Sequence, residues 1–500
     1  MKIISRALIL TGTILLSAGL NARDLLLADH YFAEKKYELA LKEYKLIADV
    51  GNPRAYYQLG VIHFNGFWVE TNFLESLIWF SLAAEQDYKD SKQLVEKLFA
   101  QISVKQKEQV ANIVADYLLN FGKTSVTDKF YPSINEINLG KKVVVVDNSD
   151  RFIGDLAGDE QDTAEEFDEL AGFADSDDLG FSDQFNTAVD PLGISVGSSA
   201  ASLNLPYFLI VDYDIETDGS RRNLVPVTSY GYIKDILYTI SSTGVAEPTL
   251  EQQPVPFIGR SYQGSASYGK SLFRDKTPIL YRRIRRLALQ LQNQSTPIGK
   301  YQYAHTLMSY TWLNATDEKI NQLLKESSEA GVIQAQLEYG LKLYRDQDDI
   351  KSAVKWILEA AKQTNTEAEY RLGKILLNSP WVIKDEKKAV MWLESAANKR
   401  HVAAIKDVVY LRLLADDQSL RNTKEAIRLL DGLTETQNRD PVYHYLRAVS
   451  HTKSETRQLS TAFKHMRTAI SLANDLDWNT DEWQAWLQQW TEGVVTVQDL

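Results

Sequence analysis

Toward both ends of the chain, small and large apolar residues recur three and four positions apart, the spacing that gathers side chains on one face of an α-helix. Ala55-Tyr-Tyr-Gln-Leu-Gly60 has counterparts in Ala335-Gln-Leu-Glu-Tyr-Gly340 and Ala368-Glu-Tyr-Arg-Leu-Gly373. Downstream of each comes an apolar half-turn with a tryptophan, then an alanine pair. These are Leu77-Ile78-Trp79 with Ala83-Ala84, Val354-Lys355-Trp356 with Ala360-Ala361, and Val390-Met391-Trp392 with Ala396-Ala397. The last two glycines lie 33 residues apart, the period of a helix–turn–helix repeat. Looser hairpins are expected over 24–50, 401–435 and 440–475, with a closing helix at about 104–121. An amphipathic last helix carries Trp483, Trp486 and Trp490, placed to cap an open apolar end.

The residue types have a packing logic. Ala55, Ala335 and Ala368 share a helix face with the large apolar residues beside them. Gly60, Gly340 and Gly373, and later Ala83, Ala360 and Ala396, lack bulk and let neighbouring helices approach. A glycine inside a helix costs about 1 kcal/mol relative to alanine, so its recurrence implies a packing reason. Trp79, Trp356 and Trp392 are expected at the start of each second helix, filling the wedge between units. The pattern resembles the SEL-one-like repeat, a subfamily of the tetratricopeptide superfamily, over 53–87 and 332–398. That resemblance implies a curved helical scaffold that binds other proteins on its concave face and has no chemistry of its own.

The middle of the chain changes period. Val143 to Val146 is a strand-like run. From Phe208 to Glu216 the chain alternates, with Val211, Tyr213 and Ile215 on one side and Asp212, Asp214 and Glu216 on the other. Asp218-Gly219 then turns the chain into a second extended stretch, Arg221 to Thr228. Ile233 to Leu237 reads as a short helix and Pro254 to Ile258 as a returning strand. The order is β-β-α-β, a small sheet with one helix across it. Val211, Tyr213, Ile215, Asp218, Gly219, Asn223, Pro226-Val227, Ser229, Asp235 and Pro254 to Gly259 resemble the C-terminal domain of TonB-family proteins. Here the unit is internal, and no Pro-rich spacer precedes it.

Charge sharpens this division. The chain carries −12 overall, yet from Phe152 to Ser220 there are 17 acids and no Lys or Arg, which leaves +5 elsewhere. Eleven of those acids fall within 155–178, and 155–204 is expected to be flexible because it lacks the apolar surface that would offset ordering. Net acidity disfavours a nucleic-acid partner. With no cysteine, disulfides, thiol nucleophiles and Cys-ligated metals are excluded. Lys2 and Arg6, the uncharged run Ala7 to Leu20 and the exit at Ala22 describe a secretory leader, so a periplasmic location is expected. An uncleaved inner-membrane anchor is the alternative.

Two motifs invite chemistry. Gly264-Ser-Ala-Ser-Tyr-Gly269-Lys270-Ser271 satisfies the phosphate-binding pattern G-x-x-x-x-G-K-[ST], but Pro278 follows closely and repeat helices begin at 279, leaving no room for a nucleotide domain. Ser267 and Lys270 match S-x-x-K without its usual companion motifs. Arg282, Arg283, Arg285 and Arg286 sit on a helix whose apolar stripe reads Leu280, Ile284, Leu287 and Leu291. They are a solvated face, a partner for the chain's own acids, or a contact for an external anion.

The expectation is a mostly α protein: helical-hairpin repeat solenoid blocks flanking a small α+β domain with a flexible acidic insert. The boundaries are a leader at 1–22, helical repeats at 23–124, a connector with a strand at 125–154, the acidic segment at 155–204, the small domain at 205–276, and repeats with a cap helix at 277–500. The function expected is an exported, non-enzymatic scaffold for unknown protein partners, with no cofactor, metal or small-molecule substrate. The alternatives are an accessory of an envelope transport or signalling complex in the membrane acting through the TonB-like unit, and a P-loop hydrolase.

Overall fold

Polar caps set the helix starts. In the computed structural model, which describes residues 23–145 and 206–491, the Asn52 side chain accepts the Ala55 N–H and Pro53 takes the first helical position of Pro53–Asn65. Gly66, left-handed at φ 69°, ends that helix, and Asn72 caps its partner Phe73–Ala84. Asp349, Asn365 and Asp385 play the same part for Ile350–Lys362, Thr366–Asn378 and Glu386–Asn398. The expected leader and the acidic segment 155–204 lie outside the described residues.

Helices Leu25–Ala33 and Tyr37–Ala48 precede the first matched hairpin; Ser91–Ala100, Val104–Phe121 and Lys123–Phe130 follow it. After the sheet come Lys270–Lys276 and Pro278–Gln292, then five hairpins in series. They are Pro297–Ser309 with Asp317–Glu329, Ile333–Asp346 with Ile350–Lys362, Thr366–Asn378 with Glu386–Asn398, Val402–Leu414 with Thr423–Asp431, and Pro441–Lys453 with Leu459–Asn474. Asp481–Thr491 closes the series, its Trp483 stacked 5.1 Å from Tyr445.

The small residues are wedged between rods. Ala55, Ala83, Ala335, Ala360, Ala368 and Ala396 are wholly buried. A Cβ on Gly60 would stand 2.7 Å from Phe80, one on Gly340 2.7 Å from Ile357, and one on Gly373 2.5 Å from Leu393. Each neighbour is the residue immediately after the repeat tryptophan, so the glycine receives that side chain and the tryptophan points elsewhere. The tryptophans are the seventh residues of their helices and not their starts. The cap Asp or Asn lies further upstream than the apolar half-turn suggested.

Three strands form the main sheet: β1 (Phe208–Ile215), β2 (Arg221–Tyr230) and β5 (Phe257–Gly264), antiparallel in the order β2-β1-β5. Between β2 and β5 come helix Lys234–Ser241 and a minor hairpin of β3 (Thr249–Leu250) and β4 (Gln253–Pro254). Gly219, at φ 77°, turns β1 into β2 where a Cβ would strike the Val245 carbonyl at 2.1 Å. Leu209, Val211, Tyr213 and Ile215 pack on Ile240 of the short helix. The returning strand starts at 257 instead of 254, since Pro254 is spent in the minor hairpin and Pro256 has no N–H for the ladder. Val144 pairs with Thr249 as an isolated bridge.

Gly340→Ala tests the wedge. Its added methyl would meet the Ile357 amide nitrogen at 2.9 Å and the Ala353 carbonyl at 3.0 Å, backbone atoms that cannot swing aside. The expected net effect is a loss of about 1–3 kcal/mol in denaturant unfolding, although alanine favours a helix by about 1 kcal/mol.

Candidate functional site

The sheet lies on the face built by the first helices of successive C-terminal hairpins. All eight residues of β1 are buried, so Asp212 and Asp214 do not look into solvent as simple alternation implied. Arg260 on β5 grips Asp212 with two parallel bonds, Nε–Oδ1 at 2.6 Å and Nη2–Oδ2 at 2.8 Å, and donates to Glu338 Oε1 at 2.7 Å. Arg345 closes the square, 3.6 Å from Asp212 and 3.8 Å from Glu338. Burial disfavours the charged form of Asp212, but Arg260 and Arg345 outweigh it and hold the carboxyl at about 2.

Two residues along, Asp214 takes Arg371 Nη1, the Tyr370 hydroxyl and Asn223 Nδ2. Burial raises its pKa, and Arg371 and Lys374 overcome that and pull it below the ordinary value. Arg371 also donates from Nε to Glu367 at 2.6 Å, and Glu367 meets His401 Nε2 at 3.0 Å. A further two residues along, Glu216 lies 3.5 Å from Lys374, which reaches Asp407 of helix Val402–Leu414 at 4.0 Å. Burial lifts Asp407 above the usual carboxylate range despite Lys374. The ends of the sheet are held too. Thr228 bonds His305 at 3.2 Å, Trp478 Nε1 donates to Ser241 O at 3.2 Å, and Arg222 stands over the Trp478 ring at 4.2 Å. The small cleft at this seam, lined by Asp214, Glu216, Phe257, Tyr344 and Lys374, has room for little beyond water.

The second helices face the N-terminal block. Trp392 Nε1 donates to Phe130 O at 2.9 Å, Lys388 Nζ to Tyr131 O at 2.8 Å, and Asn52 Nδ2 to Lys362 O at 2.7 Å. The connector runs along the loops that join first to second helices: Trp381 Nε1 donates to Lys141 O at 3.0 Å, and Gln347 exchanges two bonds with the Val143 backbone. Trp392 is wholly buried, Trp356 is buried, and Trp79 is half-buried against Tyr56.

One group of exposed apolar side chains lies on the first matched hairpin. Phe64 and Phe73 contact edge-on at 5.7 Å, Leu74 is exposed beside them, and Trp68 is 67% exposed. Trp68 holds a left-handed backbone, φ 64°, unusual for a bulky residue. Its neighbour Phe67 is stacked on Tyr37 at 4.4 Å, so the turn buries one ring and presents the next.

The motif residues take ordinary places. Gly264 ends β5 with its Cα against Tyr207, and both the amide and hydroxyl of Ser265 donate to Tyr207 O, so this stretch is folded onto the sheet edge. Gly269, Lys270 and Ser271 open a helix of seven residues that stops before Pro278. Arg282, Arg283 and Arg286 are exposed and Arg285 is half-buried, 5.7 Å from the Tyr281 ring. The buried stripe of that helix is Tyr281, Ile284, Ala288 and Leu291, not the one containing Leu280 and Leu287. Tyr281 packs 4.8 Å from Trp312 and rotates the helix, turning Leu287 outward. No group of three or more His, Asp or Glu suited to a metal occurs among the described residues.

Sequence reading missed Arg260, Glu338, Arg345, Arg371, Lys374 and Asp407. One signal was present: Glu338 and Arg371 each stand two positions before the repeat glycine, about 200° round the helix from it. A charged residue opposite the packing glycine marks a second buried face. Arg371→Met should lower stability by about 3–5 kcal/mol in denaturant unfolding, because Asp214 stays buried and Glu367 half-buried without their shared cation. Asp212, whose folded pKa is below its unfolded value, stabilises fully above about pH 4; that share should fade as pH falls toward 2, read as faster amide exchange in β1.

The family model for the Sel1 repeat matches residues 53–88, 334–365 and 366–401. No curated protein matches the chain. Solved structures similar to it include two repeat proteins. A Sel1 repeat protein from Oxalobacter formigenes has 17% identity over 43% of this chain and 96% of that one, with a TM-score of 0.32. The antigen c5321, a protective antigen of uropathogenic Escherichia coli strains displaying an SLR fold, has 18% identity over 95% and 88%, with a TM-score of 0.28. Nothing in these comparisons supports the TonB-like resemblance of 205–262. The three matched stretches coincide with the hairpins whose glycine seats the residue after the tryptophan, and the chain therefore carries Sel1 repeats on both sides of its sheet.

Proposed function

We propose that this protein is an exported, non-enzymatic scaffold that binds a protein partner through its N-terminal repeat hairpin. Sel1 repeats generally mediate protein–protein contact, and three of them are present. The observation that carries the reading is the outward cluster of Phe64, Trp68 and Phe73. In the two matched C-terminal hairpins, first helices contact the sheet and second helices contact residues near the N-terminal block, whereas these rings stand in solvent on the first matched hairpin. Exposed aromatic residues of this kind dominate protein interfaces. Lys2, Arg6 and the uncharged stretch to Leu20 support export, with the mature chain starting near Arg23.

A second reading rests on exposed Tyr230 of β2, Tyr238 of the short helix, and Tyr232 in the turn between them. There the sheet would be the contact in an envelope complex. Deleting the sheet is a poor test of it, since Asp212 and Asp214 of β1 are the ion-pair partners of Arg345 and Arg371 in the repeats.

In-cell crosslinking followed by mass spectrometry separates the readings. Trp68→Ser with Phe73→Ser should abolish the main crosslinked partner at unchanged melting temperature, while Tyr230→Ser with Tyr238→Ser leaves it. The reverse result would favour the sheet. Purified chain should not hydrolyse ATP; activity lost on Lys270→Ala would overturn the scaffold reading.

A further inference from the structure

Helix Pro278–Gln292 has a charge pattern that the scaffold reading does not use. Between 270 and 286 the chain has seven Lys or Arg and a single acid, Asp275, and from Lys276 to Thr316 there is no Asp or Glu at all. This occurs in a chain with 67 acids and a net charge of −12. Opposite the buried stripe of Tyr281, Ile284, Ala288 and Leu291 lies an outward face centred on Arg286, with Arg282 and Arg283 on either side. Arg274 and Lys276 are exposed on the short helix just before it. Arg274 is loosely paired with Asp275 at 3.5 Å, whereas Arg282, Arg283 and Arg286 make no ion pair among the described residues.

Aliphatic side chains stand among these cations. Ile279 is 62% exposed near the centre of this face, exposed Leu289 stands beside Arg282, and Leu287 lies toward the margin of the buried stripe. An acidic protein surface would satisfy the guanidinium groups but set carboxylates and water against the aliphatics. An anionic lipid leaflet offers both layers, negative headgroups for the arginines and hydrocarbon about 5–10 Å beneath them. We infer that the outward face of Pro278–Gln292 is a docking surface for an anionic lipid membrane, binding peripherally. Insertion is not involved: no helix of the described residues is long and apolar enough to cross a membrane. Arginines suit the task because each can pair with phosphate through a planar fork, and each basic residue near an acidic leaflet adds about 1 kcal/mol.

The test is co-sedimentation of the full mature chain with phosphatidylcholine vesicles containing about one-third phosphatidylglycerol. Binding is expected to the acidic vesicles and not to pure phosphatidylcholine, and to weaken as salt screens the headgroups. Arg282→Gln, Arg283→Gln and Arg286→Gln together should reduce partitioning about 100-fold at unchanged melting temperature. Ile279→Ser with Leu289→Ser should weaken it without altering its salt dependence. Three results would overturn the inference: no binding to acidic vesicles, equal binding to both vesicle types, or unchanged binding by the triple variant. Retention on immobilised polyglutamate without vesicle binding would also overturn it, pointing to an acidic protein or to the chain's own acids at 155–178 as occupant. Each outcome is independent of whether Trp68 and Phe73 bind a partner.

Discussion

The constraint on which the architecture depends is that carboxylates buried at 212 and 214 must each find a cation. A lone charge in such a place costs several kcal/mol, so β1 can occupy this position in one register only. Moving the strand by one residue would turn Val211 and Tyr213 toward Arg345 and Arg371 and drive the acids into the sheet's apolar core. Sheet register and repeat phasing therefore determine each other. Arg260 joins them directly, since one guanidinium bonds Asp212 on its own sheet and Glu338 on a repeat helix.

This arrangement changes what the repeats do. Stacked hairpins present one face made by first helices and another made by second helices. Here the sheet takes the first, the chain around Phe130 and Tyr131 takes the second through Trp392 and Lys388, and the connector lies on the loop between them through Trp381. The C-terminal repeats act as the internal frame that holds two other parts of the chain in place. Among the exposed surfaces of the described residues are the aromatic turn around Trp68, the tyrosines near β2, and the arginine face of Pro278–Gln292.

Much of this was legible from local chemistry. Asp218-Gly219 announces a hairpin and the alanine–glycine spacing announces paired helices, because both act over a few positions of chain; the caps Asn52, Asn72, Asp349, Asn365 and Asp385 are plain only once the helix bounds are known. The phase of a helix against its neighbours was read less well. The stripe through Leu280 and Leu287 was equally apolar on paper, and only the packing of Tyr281 on Trp312 selected the other. The repeat tryptophans were likewise placed at helix starts, since the apolar run gave no sign of the polar half-turn inside each helix.

By itself the sequence determined the hairpins, their small-residue wedges and the β-β-α-β order, all consequences of spacing within a few turns of chain. Only the tertiary structure decided that alternating acids face inward. An Asp on the polar side of a strand looks the same whether water or an arginine more than a hundred residues away will solvate it. Which of the two does so depends on the free energy of a desolvated ion pair, and that is fixed where distant segments meet.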